Sequence, residues 1–101
     1  MAEVVWAEPA AKDLEEIAEY ISLDNPPAAE KLIHRVLSRT RQLEKHPKSG
    51  PVLQDFANSH YRYLIEPPCK TFYTFDGTTV YILRVLRTER LIRLSFFDET
   101  E

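Results

Sequence analysis

From Glu8 to Gly50 the chain carries two apolar stripes at helical spacing, broken by Asp24-Asn25-Pro26-Pro27. In the first, Leu14, Ile17, Ala18 and Ile21 recur at i, i+3, i+4, i+7 and line one face of a helix. Pro9 suits the first turn, where its missing N–H leaves no bond unmade. Asp13, Glu15 and Glu16 favour the N-terminal half, where the helix dipole is positive. Asn25-Pro26-Pro27 ends the helix, because proline disfavours helical backbone in the residue before it. Ala29, Leu32, Ile33, Val36, Thr40 and Leu43 then mark a second helix, closed by His46-Pro47-Lys48-Ser49-Gly50-Pro51. So short a hinge predicts an antiparallel helical hairpin whose apolar stripe must be covered by something else.

That cover is a sheet. From Tyr61 the spacing changes to short runs rich in Tyr, Phe, Val, Ile and Thr, at 61–65, 69–75 and 79–86. Asp76-Gly77 between the last two is the strongest hairpin signal in the chain. Pro67-Pro68 falls in the connection between the first two, since proline cannot serve a central strand. Val4, Val5 and Trp6 read as a further strand, and residues 91–97 as a last strand or a short helix. The expected class is α+β: an N-terminal strand and a helical hairpin packed on a mostly antiparallel sheet of about four strands.

A length of 101 residues supports one domain, 1–101, with one modest core. The N-terminus lacks a basic segment followed by an apolar run, and no stretch reaches membrane-spanning length. Cys69 is the single cysteine and forms no internal disulfide, which fits a reducing compartment and a cytoplasmic protein.

Charge is divided along the chain. Residues 1–30 carry eight acids against Lys12, a net of −7. Residues 31–48 carry Lys31, Arg35, Arg39, Arg41, Lys45 and Lys48 against Glu44, a net of +5. One reading is two solvated helix faces of opposite sign. The other makes the second helix a docking surface for an acidic partner or a phosphate backbone. The whole-chain net of −3 argues against strong sequence-independent binding of nucleic acid.

Trp6 before Ala10-Ala11, then Asp13-Leu14, Ile17 and Tyr20-Ile21, resembles the opening of the ParE/RelE superfamily of bacterial toxins. Asn25-Pro26 with Ala28-Ala29, then Leu43 and His46-Pro47 followed by Gly50, continues the likeness. Tyr61-Arg62, Phe72-Tyr73 before Asp76-Gly77, and Val80, Ile82-Leu83 and Val85 resemble the family's sheet. The resemblance spans residues 4–90, and its specificity lies in the order and spacing of elements that are individually ordinary. It implies a toxin of a type II toxin–antitoxin pair with a ParD-like antitoxin as partner, and no cofactor. Two activities divide the superfamily. ParE-like members poison DNA gyrase without chemistry of their own, and RelE-like members cut mRNA on the ribosome. The second activity needs groups that activate a 2′-hydroxyl, neutralise a phosphate and protonate a leaving oxygen. The tail here has neither Tyr nor His after Tyr81, and Thr88 and Leu94 fall about where the nucleases place an Arg and an aromatic acid–base group. The resemblance therefore implies a gyrase inhibitor with no catalytic residues. The alternatives are a nuclease using Lys48, Arg62, Arg84 and Arg87, and a non-toxic binding module of the same fold.

The remaining candidates are weighed on residue type and spacing. His34 and His46 lie twelve residues apart with no Cys or carboxylate at ligand spacing, so no metal site is expected. His60 reads as a solvated strand end, Cys69 as an unreactive small residue, and Glu15, Glu16 and Glu19 as a solvated acidic face. The basic group Arg62, Arg84, Arg87, Arg90 and Arg93 stands out. Strand alternation separates Arg84 from Val85, placing it at Val80's parity or on the exposed side, and antiparallel pairing brings it near Arg62 on the helix-free face. That face is either a plain polar surface or a groove for the antitoxin or the target. Tyr20, Tyr61, Tyr63 and Phe72 offer more aromatic surface than a small core encloses, so an antitoxin segment is expected to wrap both hairpin and sheet.

Overall fold

A computed structural model describes residues 1–54 and 60–88. Strand β1 (Glu3–Trp6) leads into helix α1 (Glu8–Ser22), which turns through three residues into helix α2 (Pro26–Arg41) and one 3-10 turn (Gln42–Glu44). Strands β2 (Arg62–Glu66), β3 (Cys69–Phe75) and β4 (Thr79–Arg87) follow. The expected β-α-α-β-β-β order holds. The element expected at 91–97, with Arg90 and Arg93, lies outside the described residues.

Local chemistry explains the hairpin. Asn25 caps α2, its side-chain oxygen accepting the Ala28 N–H at 3.2 Å, and Pro26 and Pro27 occupy the first turn, where their missing donors cost nothing. Ala10, Leu14 and Ala18 of α1 are buried together with Ala29, Leu32, Val36 and Thr40 of α2. Thr40 fits the apolar stripe because its hydroxyl donates to the Leu37 carbonyl one turn back, at 3.0 Å.

The sheet has the order β1-β4-β3-β2, with β2–β3 and β3–β4 antiparallel and β1 parallel to β4. The Pro67–Pro68 peptide is cis and makes the whole connection between Glu66 and Cys69. At the other hairpin Gly77 takes φ +103°, a left-handed conformation that L side chains resist. Asp76 holds the turn beside it, one carboxylate oxygen accepting from the Thr78 N–H and hydroxyl and from the Thr79 N–H at 2.7–3.0 Å.

One irregularity sets the rest of the molecule. Phe72 faces Arg84 across the ladder while Tyr73 faces Ile82, leaving Leu83 as an extra residue in β4. This is a β-bulge, and it shifts the alternation of side chains past it. Val80, Ile82 and Val85 therefore pack with Leu14, Leu32, Val36, Leu43, Leu64 and Tyr73 beneath the helices. Leu83 and Leu86 instead join Phe72 and Leu53 in a second cluster on the opposite face, flanked by Tyr61 and Tyr63. The helix-free face is thus apolar where a polar, arginine-bearing surface was expected. Phe72 belongs to that cluster and is fully buried, so it offers no surface to a partner in this structure.

Candidate functional site

Strand β1 ends at Trp6, opposite Ile82, and the Ala7 N–H closes the ladder on the Ile82 carbonyl at 2.9 Å. Beyond that point no strand among the described residues flanks β4 on this side, and α1 packs there instead. Asp13 reaches down from α1 so that one carboxylate oxygen accepts from Arg84 Nε at 2.6 Å and from the Val85 N–H at 3.0 Å. The other oxygen accepts from Arg84 Nη2 at 3.0 Å. The Asp13 and Arg84 side chains are 13% and 9% exposed. The fork satisfies both charges and the backbone donor that β1 leaves unpaired. The bulge makes this possible, because it turns Arg84 toward the open edge. Arg84 therefore does not meet Arg62 on the helix-free face.

Arg62 is engaged elsewhere. Its Nη1 donates to the carbonyls of Lys48, at 3.1 Å, and Gly50, at 2.7 Å. The buried Tyr73 hydroxyl accepts from the Gly50 N–H and donates to the Pro47 carbonyl, both at 2.9 Å. Burial pushes the Tyr73 phenol above its ordinary value, opposed by the Gly50 N–H and the Arg62 charge. Gly50 has no alternative here, since a Cβ would meet the Tyr63 carbonyl oxygen at 2.5 Å and the Tyr73 hydroxyl at 2.7 Å. The His46-to-Pro51 segment is thus fastened to the sheet by one arginine and one tyrosine. Lys48 stands exposed on its outer side.

A trough of about 440 Å³ runs between α1 and the end of β4, lined by Glu16, Ile17, Tyr20 and Arg87. Tyr20 is 66% exposed, and the Arg87 guanidinium lies 5.7 Å from its ring centroid, within cation–π reach. A second trough, lined by Glu8, Pro9, Lys12, Asp13, Glu16 and Arg84, shares Glu16 with the first. Both lie on the flank of α1 and meet at Glu16, and the pair is called the α1 channel. Of the residues singled out in the sequence, Tyr20 and Arg87 come together in it and Arg84 lies at its inner end. Tyr61 and Tyr63 are half-buried on the far face of the sheet, where the Lys70 ammonium sits 4.2 Å from the Tyr63 centroid. Arg90 lies outside the described residues. Among the described residues no group of three His, Cys, Asp or Glu side chains could hold a metal ion, and no helix is long and apolar enough to cross a membrane.

By its sequence context Asp13 is a helix-dipole charge and not a site residue. Its place directly before Leu14 puts it on the flank of the apolar stripe, at the border of the sheet, and that is the signal that could have found it. Tyr73 falls in a strand run and Gly50 in the segment that closes the second helix, and their bond to each other has no trace in periodicity.

Residues 4–92 match the sequence model of the ParE toxin of the type II toxin–antitoxin system parDE. The chain belongs to this family. It is 31% identical over 91 residues to Toxin RelE2 of Caulobacter vibrioides, covering 90% of this chain and 100% of that one. The fold is similar to a chain of the chromosomal ParDE system from P. aeruginosa, with a TM-score of 0.73 at 24% identity over 88% of this toxin and 98% of the other chain. At that identity the likeness speaks for the fold alone, and it agrees with the α+β architecture of this toxin.

Proposed function

We propose that this toxin is a ParE-type poison of DNA gyrase that performs no catalysis itself, acts in the cytoplasm and is neutralised by a cognate ParD-like antitoxin. The observation that carries the reading is the engagement of Arg84 and Arg62. A ribonuclease needs fixed positive charge and acid–base groups converging on one phosphate. Two of the four cations available for that task hold the fold instead, Arg84 on Asp13 and Arg62 on the carbonyls of Lys48 and Gly50. Arg87 lies with Tyr20 in an open trough, a combination suited to anchoring a protein partner. Trapping a cleaved gyrase–DNA complex requires binding energy and no catalytic group. An antitoxin segment that wraps hairpin and sheet would cover the same channel and the half-buried Tyr61 and Tyr63.

A second reading is favoured by the relative bearing the name Toxin RelE2: ribosome-dependent cleavage of mRNA, with Lys48 and Arg87 as the phosphate-binding cations. Two assays separate the readings. Purified toxin with gyrase, DNA and ATP should accumulate cleaved DNA, and expression without antitoxin should induce the DNA-damage response while leaving mRNA intact. Codon-positioned cuts in translated messages, seen by primer extension, would assign the nuclease activity instead.

A further inference from the structure

Each helix of the hairpin turns one charged line to solvent. On α1 the exposed Glu8, Lys12, Glu15 and Glu19 follow one another at spacings of four, three and four residues. On α2 the exposed Lys31, His34, Ser38 and Arg41 are spaced three, four and three. Such spacings set each group in one line along its helix, on the side away from the buried Leu14 and Leu32. The α1 line carries three acids and one base, and the α2 line two bases and no acid. Among the described residues none of these charges makes an ion pair, since the ion pairs there join Arg35 and Arg39 to Glu66 and Arg84 to Asp13.

The two lines thus leave each other unpaired within the chain, although their helices are neighbours. Packed helices lie about 8–10 Å apart, so both lines stand on one outward face of the hairpin. The furrow between them is apolar at its middle, where Ala11 is exposed on α1 and Leu37 is 41% exposed on α2. The helices run antiparallel about a three-residue turn, so residues equidistant from Asp24 lie level with one another. Ala11 is then level with Leu37, and Glu8 with the helical turn that holds Arg41. Glu15 and Glu19 bracket the level of Lys31.

We propose that this face docks on the same face of a second copy of the chain, about a two-fold axis parallel to the helices. Rotation about such an axis lays α1 of one copy over α2 of the other, and does so twice. Glu8 of one copy then meets Arg41 of the other, and Glu15 and Glu19 straddle Lys31. Lys12 falls opposite the uncharged Ser38, and Leu37 and Ala11 of both copies close the centre. A two-fold axis across the helices would stack acid on acid, which like charges oppose. A second copy suits the face better than a nucleic acid, because a phosphate chain attracted by the α2 line is repelled by the α1 line. Helices of 15 and 16 residues are about 23 Å long and, side by side, about 20 Å wide. The face therefore offers on the order of 450 Å² per copy, against about 800 Å² in a stable interface, so the dimer is weak and held largely by charge. The inference concerns the contact of the toxin with itself and rests on neither reading of its target.

The test is sedimentation of the full chain over a range of concentrations at low and high salt. A monomer–dimer equilibrium is expected, weakened by about tenfold or more between about 50 and 500 mM salt, as screening requires. Two charge-reversed chains decide the pairing: Glu15→Lys with Glu19→Lys, and Lys31→Glu with Arg41→Glu. All four side chains are exposed, and circular dichroism checks that each variant folds. Each should stay monomeric at concentrations where the wild type dimerises. Their equimolar mixture should restore the dimer, because an acidic line again meets a basic one on both sides of the axis. The milder pair Lys31→Gln with Arg41→Gln should weaken the dimer about tenfold, the loss that removal of charged contacts brings. A wild type that stays monomeric at millimolar concentration in low salt would overturn the proposal. So would a dimer that the substitutions leave intact, or folded reversed chains whose mixture does not associate. Association is read on the isolated toxin, so the gyrase assay can fail without touching this result, and the converse holds.

Discussion

Asp13 and Arg84, 71 residues apart in sequence, join helix α1 to the stretch of β4 that β1 leaves uncovered. One carboxylate thereby replaces the next rung of a strand, since it also accepts the Val85 N–H. Removing it strands a mostly buried guanidinium and a backbone donor together. Asp13→Ala should therefore destabilise the fold by about 2–4 kcal/mol, and Arg84→Ala by a similar amount. The double variant should cost less than the sum, because each single change orphans the other partner. Urea denaturation of the four proteins reads this directly. Additive costs would mean that the two side chains act separately.

Tyr73 fastens the segment ending in Gly50 through a donor and an acceptor at once. Tyr73→Phe should cost about 1–3 kcal/mol, the penalty for leaving buried backbone groups unpaired. The sign of the pH dependence follows from the raised pKa of its phenol. The unfolded chain ionises first, so the contribution of Tyr73 is fully present below the ordinary tyrosine value and fades as pH rises through the higher folded value. Wild-type stability should fall at strongly alkaline pH, and Tyr73→Phe should flatten that decline. Parallel alkaline slopes in the two proteins would refute the assignment. Gly50→Ala should fail more severely, because the Tyr63 carbonyl oxygen that its methyl would strike is backbone and cannot step aside.

The architecture was legible because it rests on local signals: helical spacing in α1 and α2, the proline hinge, and the Asp76-Gly77 turn. The β1-to-β4 parallel pairing was not. Val4, Val5 and Trp6 reveal a strand and nothing about its neighbour. Arg84 was misplaced for one reason. Strand parity assumes an unbroken ladder, and the extra residue at Leu83 moves Arg84 off the face that alternation assigns. Phe72 was misjudged for another. An aromatic count does not disclose that the helix-free face builds a core of its own from Leu53, Leu83 and Leu86. Arg87 with Tyr20 was legible as residue types, while their contact needed the fold.

At the β3–β4 turn the Asp76 carboxylate is held below its ordinary value, first by the Thr79 N–H and next by the Thr78 N–H. A depressed folded value means that its contribution is present above the unfolded carboxylate value and is lost as pH falls through the folded one. Asp76→Asn should leave neutral-pH folding intact and reduce the acid sensitivity of the turn. The Thr78 and Thr79 amides report it in an acid titration. If both amides shift at the same pH in the variant, the carboxylate is not the group they sense.

Tyr20 provides the sharpest contrast with Arg84, because it lies beside Arg87 in the channel with most of its ring exposed. Tyr20 is 66% exposed, so Tyr20→Ala should change stability by less than about 0.5 kcal/mol, as surface substitutions generally do. Its effect on partner binding should be larger, about 1–3 kcal/mol if it anchors the target or the antitoxin. Arg87→Ala should likewise weaken partner binding by about 1–3 kcal/mol. Arg84→Ala should lower both quantities, since its loss loosens β4 beneath the channel. Three melting curves and three gyrase-cleavage titrations, repeated with antitoxin present, place each residue. Full poisoning and full antitoxin affinity in both Tyr20→Ala and Arg87→Ala would remove the α1 channel from the list of contact surfaces.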